Sequence, residues 1–357
     1  MRWTVYVPIV AIIGLAFTWG RDLPGPVVVV IALLLAGAVL AAVHHAEVVA
    51  HRVGEPFGSL VLAVAVTVIE VALIVALMAD GDPKTYSLAR DTVFSAVMIT
   101  CNGIFGLSLF VGAWHRRVAV FNAEGTGAAF ATVATLATLS LVLPTFTTSE
   151  PGPVFSTPQL VFAALASLAL YGLFVAMQTH RHRDYFLPIT STGEVIETEE
   201  HAEPPTNRQA WTSLGLLLIA LVAVVGDAKG VSPVVESGVA KAGLPQAIVG
   251  VVIALLVLLP ETLAALRAAR RDRVQTSLNL ALGSAMASIG LTIPAIAVAS
   301  IWLSGPLLLG LGATQMVLLA LTMVVGVLTI VPGRATLLQG GVHLAILAAY
   351  LFLAVSP

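Results

Sequence analysis

The sequence predicts an all-α integral membrane protein of eleven transmembrane helices: one leading helix, then two five-helix halves related as inverted repeats. Three observations carry this. Hydrophobic residues fill 58% of the 357 positions and charged residues only 10%, against roughly 25% charge in an ordinary soluble domain. Apolar runs of about 20 residues, the length that crosses a bilayer, recur along the whole chain. The two halves also share a pattern built around a lone glutamate. With mean hydropathy at +1.00, a soluble enzyme, a disordered chain, a collagen and a coiled coil are excluded. The net charge of −2 argues against a nucleic-acid partner, whose phosphates call for a basic face. A single cysteine, Cys101, excludes an intramolecular disulfide framework.

The spans fall at 4–20, 25–50, 59–79, 91–114, 126–148, 158–178, 211–242, 247–270, 274–303, 306–331 and 335–355. Trp3 and Trp19 bracket the first, where amphipathic rings favour the membrane interface, so it is expected to be a retained span rather than a signal peptide. The seventh is expected to break near Gly226 to Pro233. With eleven spans, twelve of the 17 Lys and Arg residues fall on the side of the N-terminus and five on the other. Basic residues mark the cytoplasmic side, which puts the N-terminus inside and the C-terminus outside. The longest polar stretch, 180–210, carries Glu194, Glu197, Glu199, Glu200 and Glu203. It reads as an acidic cytoplasmic linker. The expected division is 1–22, a leading helix; 23–179, the first repeat; 180–210, the linker; and 211–357, the second repeat.

The repeats show in the sequence itself. A long span ends before Gly54-Glu55-Pro56, and the next carries Glu70. Another ends before Gly243-Leu244-Pro245, and the next carries Glu261. Sliding 91–109 onto 274–293 pairs Thr92 with Thr276 and Gly106 with Gly290. Five is an odd number, so the second half enters from the opposite side. Inverted repeats typify secondary transporters, whose ion sites lie near mid-membrane where the repeats meet.

Glu70 is the strongest chemical signal. It sits at the centre of its apolar run, where a charge costs on the order of 2.5–3.5 kcal/mol by insertion scales. Such a residue is expected to bind a cation or a proton. Glu261 is its partner by repeat. Pro260 beside it removes one backbone N–H and can free a carbonyl of the preceding turn, a good neighbour for a hard cation. Neutral oxygens come from Asn102 in MITCNG, from Ser284 and Ser288 in LGSAMAS, and from Thr67, one turn before Glu70. These are the expected auxiliary ligands. The stretch HHAEVVAH offers His45, Glu47 and His51 for a cytoplasmic-mouth or regulatory role. Its pattern is not HExxH, which speaks against a membrane metalloprotease.

The segments GEPFGSLVLAVAVTVIEVALI (54–74) and LLVLLPETLAALRAARRDRVQTSLNLALGSAMASIGLTIP (255–294) resemble the two signature repeats of bacterial calcium/proton antiporters of the Cha type, within the cation/Ca²⁺ exchanger superfamily. The resemblance covers nearly the whole chain. It implies the fold of one leading helix plus two inverted five-helix repeats, a bacterial inner-membrane location, and cation binding by Glu70 and Glu261 in exchange for protons. In the wider superfamily a Gly-Asn pair precedes each signature Glu, and this chain lacks it in both halves.

The expected activity is therefore Ca²⁺/H⁺ exchange by alternating access. Ca²⁺ and H⁺ are the partners, with Na⁺ or K⁺ as alternative ions on the same fold and a homo-oligomer left open. No cofactor is expected beyond the transported ion, and no enzymatic activity. A membrane metalloenzyme built on HHAEVVAH is the alternative from another class.

Overall fold

The computed structural model describes residues 3–21, 24–54, 57–79, 81–187, 189 and 205–356. Twelve helices account for almost all of it: α1 (Trp3–Thr18), α2 (Gly25–Val53), α3 (Phe57–Met78), α4 (Leu88–Met98), α5 (Phe105–Arg116), α6 (Ala123–Ala137), α7 (Thr157–Ala176), α8 (Asn207–Lys241), α9 (Ala247–Arg270), α10 (Val274–Ala299), α11 (Ala313–Ile330) and α12 (Leu337–Val355). A π-helical turn, Ile99–Ile104, joins α4 to α5 in one span. Among the described residues, ten helical segments are long and apolar enough to cross a bilayer, and Trp3–Thr18 adds a shorter apolar helix. The expected helical membrane fold is the one observed.

Local chemistry sets the helix ends. Asn122 accepts hydrogen bonds from the backbone N–H groups of Glu124 and Gly125 at 2.9 and 3.1 Å, capping α6. Such a side chain satisfies donors that have no intrahelical partner. Gly54 and Gly243 end α2 and α8 with φ of 77° and 67°, a region open to glycine and strained for other residues. These are the two glycines of the repeated Gly-x-Pro pattern.

Two spans and the linker differ from expectation. The seventh does not break: α8 runs unbroken from Asn207 to Lys241. Gly226 serves packing instead, because a Cβ there would collide with Leu15 of α1. The tenth begins later than expected, at Ala313. The residues before it run extended, with Leu308, Gly310 and Leu311 donating to the carbonyls of Tyr86, Pro153 and Leu141. The linker also starts later than position 180. Phe186 is buried and sets its ring edge-on to Phe174. Glu194, Glu197, Glu199, Glu200 and Glu203 lie outside the described residues.

The span from α4 through α5 is the most enclosed, with 89% of its apolar window buried against 22% for the spans of α7 and α12. Around it α4 packs on α9, α5 on α12, and α10 on α3, α6, α7 and α9. Helix α8 lies along α2 and also touches α1 and α3. Two short strands, β1 (Val118–Val120) and β2 (Arg334–Thr336), pair antiparallel with Ala119 opposite Ala335. They tie a loop of the first half to one of the second. Large apolar side chains such as Leu33, Phe162, Ile301 and Val331 point outward, where lipid tails replace water as the apolar solvent.

Candidate functional site

A cavity of about 1400 Å³ enters the bundle from one end. Its wall holds Arg52 and Gly54 at the end of α2, His180 and Arg183 beyond α7, and Asn279 near the start of α10. These lie at the end of the molecule that carries β1 and β2. On α3 the lining runs inward from Leu62 to Glu70, and on α10 from Thr276 to Ser288. No described residue beyond those levels on α3 or α10 lines it, so Glu70 and Ser288 stand at its floor.

Glu70 and Glu261 both line this cavity, from two different helices. Glu70 lies 13 residues from the Phe57 end of α3. Glu261 lies nine residues from the Arg270 end of α9. At 1.5 Å per residue these are depths of roughly 20 and 14 Å, so Glu70 is the deeper of the two. Glu70 is buried. The Ser288 hydroxyl lies 2.9 and 3.0 Å from its two carboxylate oxygens, and the Thr292 hydroxyl donates to Oε2 at 3.2 Å. Ser288 and Thr292 are one helical turn apart on α10 and share a face. Glu261 keeps Oε2 without any hydrogen-bond donor. Beside it, Pro260 has no N–H to give the carbonyl of Leu256, its ordinary helical partner.

Thr67 and Ser284 line the same cavity, each one turn from Glu70 or Ser288. Asn102 does not reach it. Its amide donates to Thr322 Oγ1 at 2.9 Å, and its carbonyl oxygen lies 3.1 Å from His343 Nδ1. The other ring nitrogen of His343 lies 3.2 Å from Thr329 Oγ1. An amide oxygen can only accept, so Nδ1 carries the proton and Nε2 accepts from Thr329. This polar cluster joins the π-helical turn to α11 and α12, and Asn102 is a structural anchor there rather than a cavity ligand.

HHAEVVAH divides as well. Glu47 and His51 line the cavity mouth. His44 Nδ1 lies 3.9 Å from Glu47 Oε2. His45 is buried and points elsewhere: Nε2 donates to the Thr4 carbonyl at 2.9 Å, and Nδ1 lies 3.2 Å from Ser213 Oγ. It fastens α2 to α1 and α8, and is not a mouth residue. Among the described residues no three His, Cys, Asp or Glu side chains converge as a metal centre. Thr292 is the ligand-side residue that the sequence did not single out. Its spacing of four from Ser288 was the available signal.

Glu70, Glu261 and the hydroxyls of Thr67, Ser284 and Ser288 line one cavity, an arrangement suited to a small cation. A family model described as sodium/calcium exchanger protein matches residues 25–180 and 212–356. The chain belongs to the sodium/calcium exchanger family. A relative in Sinorhizobium fredii, y4hA, named as an ionic transporter, is 46% identical over 99% of this chain and 96% of its own. The sodium-potassium/proton antiporter ChaA of Escherichia coli is 36% identical over 96% of this chain and 93% of its own. Among solved structures, the H⁺/Ca²⁺ exchanger CAX overlays with a TM-score of 0.71 at 16% identity, covering 98% of this chain and 86% of that one. That likeness is one of fold. The exchanger described here is an integral membrane antiporter for cations, and its relatives are transporters.

Proposed function

We propose that this exchanger moves Ca²⁺ against protons, with Glu70 and Glu261 as the shared binding site. The observation that carries the proposal is the convergence of two carboxylates from two different helices, Glu70 buried and Glu261 half-buried, on one cavity. Two carboxylates neutralise one Ca²⁺ or hold two protons. Either loaded site is close to neutral and can be closed off and re-exposed on the far side. The empty site carries two charges in a medium of low dielectric, where the penalty is large, so it does not change sides. Cation and proton flows are thereby coupled. Thr67, Ser284 and Ser288 supply neutral oxygens of the kind a hard cation takes to fill its shell. The excess of Lys and Arg on that side supports a cytoplasmic opening, an inward-facing state from which entering protons expel the cation.

A second reading, exchange of Na⁺ or K⁺ for protons on the same carboxylates, is favoured by the 36% identity to the sodium-potassium/proton antiporter ChaA. Purified exchanger in proteoliposomes, given an imposed pH gradient and Ca²⁺, Na⁺ or K⁺ in turn, separates the two. Proton-driven flux of Ca²⁺ above that of either monovalent ion is expected. Flux of Na⁺ or K⁺ without Ca²⁺ establishes the second reading, and flux that ignores the pH gradient removes both.

A further inference from the structure

Asp227, a carboxylate within a membrane-spanning segment of α8, takes no part in the cavity. Asp227 is 1% exposed, and neither of its oxygens has a hydrogen-bond donor. It stands 20 residues along α8 from Asn207, about 30 Å at 1.5 Å per residue. No described residue of α8 lines the cavity, so Asp227 belongs to a different place in the fold.

Among the described residues of α1, α2 and α3, none places a charged side chain in contact with it. Helix α8 packs on α2, α1 and α3. The α1 sequence has no charged residue, and its one titratable group is Tyr6, near its far end. The titratable groups of α2 are His44, His45, Glu47, His51 and Arg52, all in its last ten residues. Of these, His45 meets α8 at Ser213, 14 residues before Asp227. The single titratable group of α3 is Glu70, whose carboxylate is turned to Ser288 and Thr292 on α10. On α8 itself Arg208 is near the start, and Lys229, Glu236 and Lys241 follow Asp227. Near Asp227, α8 is pressed against Leu15 of α1 at Gly226. One turn on, Val231 packs with Val28 and Ile31 of α2.

A carboxylate without a donor in such a setting is far costlier than the neutral acid. We infer that Asp227 is a proton-binding site separate from the Glu70–Glu261 pair, and that its proton holds α8 against α1, α2 and α3. Loss of the proton forces the carboxylate toward water, which the packed arrangement does not offer. The packed arrangement is therefore present at low pH and lost as pH rises. Asp227 senses pH through the position of α8 and does not ferry protons with the cation.

The proton is visible directly. In full-length exchanger carrying Glu70→Gln and Glu261→Gln, infrared spectra at neutral pH are expected to retain the carbonyl stretch of an un-ionised carboxylic acid. Adding Asp227→Asn should remove that band. In the Glu70→Gln, Glu261→Gln protein itself, ¹³C-aspartate labelling should shift it, which keeps the test decisive if the triple variant does not insert. A band that survives in the triple variant, or that labelling leaves in place, overturns the assignment.

The functional half is read in proteoliposomes with Asp227→Asn alone. Loss of the packed arrangement lowers the exchange rate as pH rises; asparagine fixes the neutral form, so that fall should become shallower by one proton's worth, about tenfold per pH unit in the limit, with an unchanged cation-to-proton ratio. Superimposable pH curves, or a changed ratio, overturn the sensing role. The inference builds on the exchange proposed above, yet the two fail separately. Exchange that survives Glu70→Gln removes the carboxylate pair and leaves the Asp227 band untouched.

Discussion

Glu70 and Asn102 show what single residues could and could not disclose. A glutamate at the centre of a 22-residue apolar helix has few reasons to be there other than chemistry, so its placement in a buried cavity was legible in advance. Asn102 sent a weaker signal of the same kind, because a mid-membrane amide needs partners, but spacing along one chain cannot say which partners. The structure supplies Thr322 and His343, both more than 200 positions away in sequence. Asn102→Ala is thus expected to act on stability. It takes the Asn102 acceptor from the buried His343 Nδ1–H, while Thr322 keeps its bond to the Leu318 carbonyl, at about 1–3 kcal/mol, and should lower the unfolding temperature in detergent while apparent cation affinity stays near that of the unsubstituted protein. A large drop in affinity with unchanged stability would return Asn102 to the site. Ser288 stands in the opposite position: it was one of several hydroxyls on an apolar helix, and only its distances to both oxygens of Glu70 single it out.

Helices were legible by the length of their apolar runs, and their interruptions were not. The apolar run at 91–114 gave one span, yet nothing in it announced the π-helical turn at Ile99–Ile104. Gly226 looked like a breaker because glycine weakens a helix. It proved to be the contact that lets α1 approach α8, a purpose invisible without the partner helix. Gly106 and Gly340 make the same point between α5 and α12. A Cβ on Gly106 would stand 2.7 Å from the His343 Cβ, and one on Gly340 would stand 2.6 Å from the Phe110 nitrogen. Neither neighbour can yield, one being backbone and the other a Cβ fixed to it. Gly340→Ala should therefore force α12 away from α5, with an overpacking penalty of about 1–3 kcal/mol. Thermal unfolding followed by circular dichroism checks this, and an unchanged midpoint would mean that the helices part without penalty.

At the scale of the whole molecule, composition alone excluded every soluble class, and repeated sequence around Glu70 and Glu261 located the two helices that face one cavity. What the sequence could not supply was which end of the bundle that cavity opens from, since this depends on how α2, α3, α7, α9 and α10 tilt against one another. The structure opens it at the end bearing Arg52 and Arg183, on the side where Lys and Arg are concentrated. Reporter fusions after Gly193 and after Pro357 should report opposite sides of the membrane, with the former in the cytoplasm. Identical sides would contradict the eleven-span topology and, with it, the inward-facing assignment. The central claim is that Glu70 and Glu261 together hold the cation or the protons. Glutamine keeps the shape and the hydrogen-bonding carbonyl of each while removing the charge and the titratable proton, and a divalent ion left with one carboxylate loses half of its anionic ligand charge. The most direct measurement is Ca²⁺ flux driven by a pH gradient in proteoliposomes holding equal amounts of correctly inserted unsubstituted exchanger, Glu70→Gln or Glu261→Gln. The expected result is loss of exchange in both variants; proton-driven Ca²⁺ flux near the unsubstituted rate in either one would contradict the two-carboxylate site.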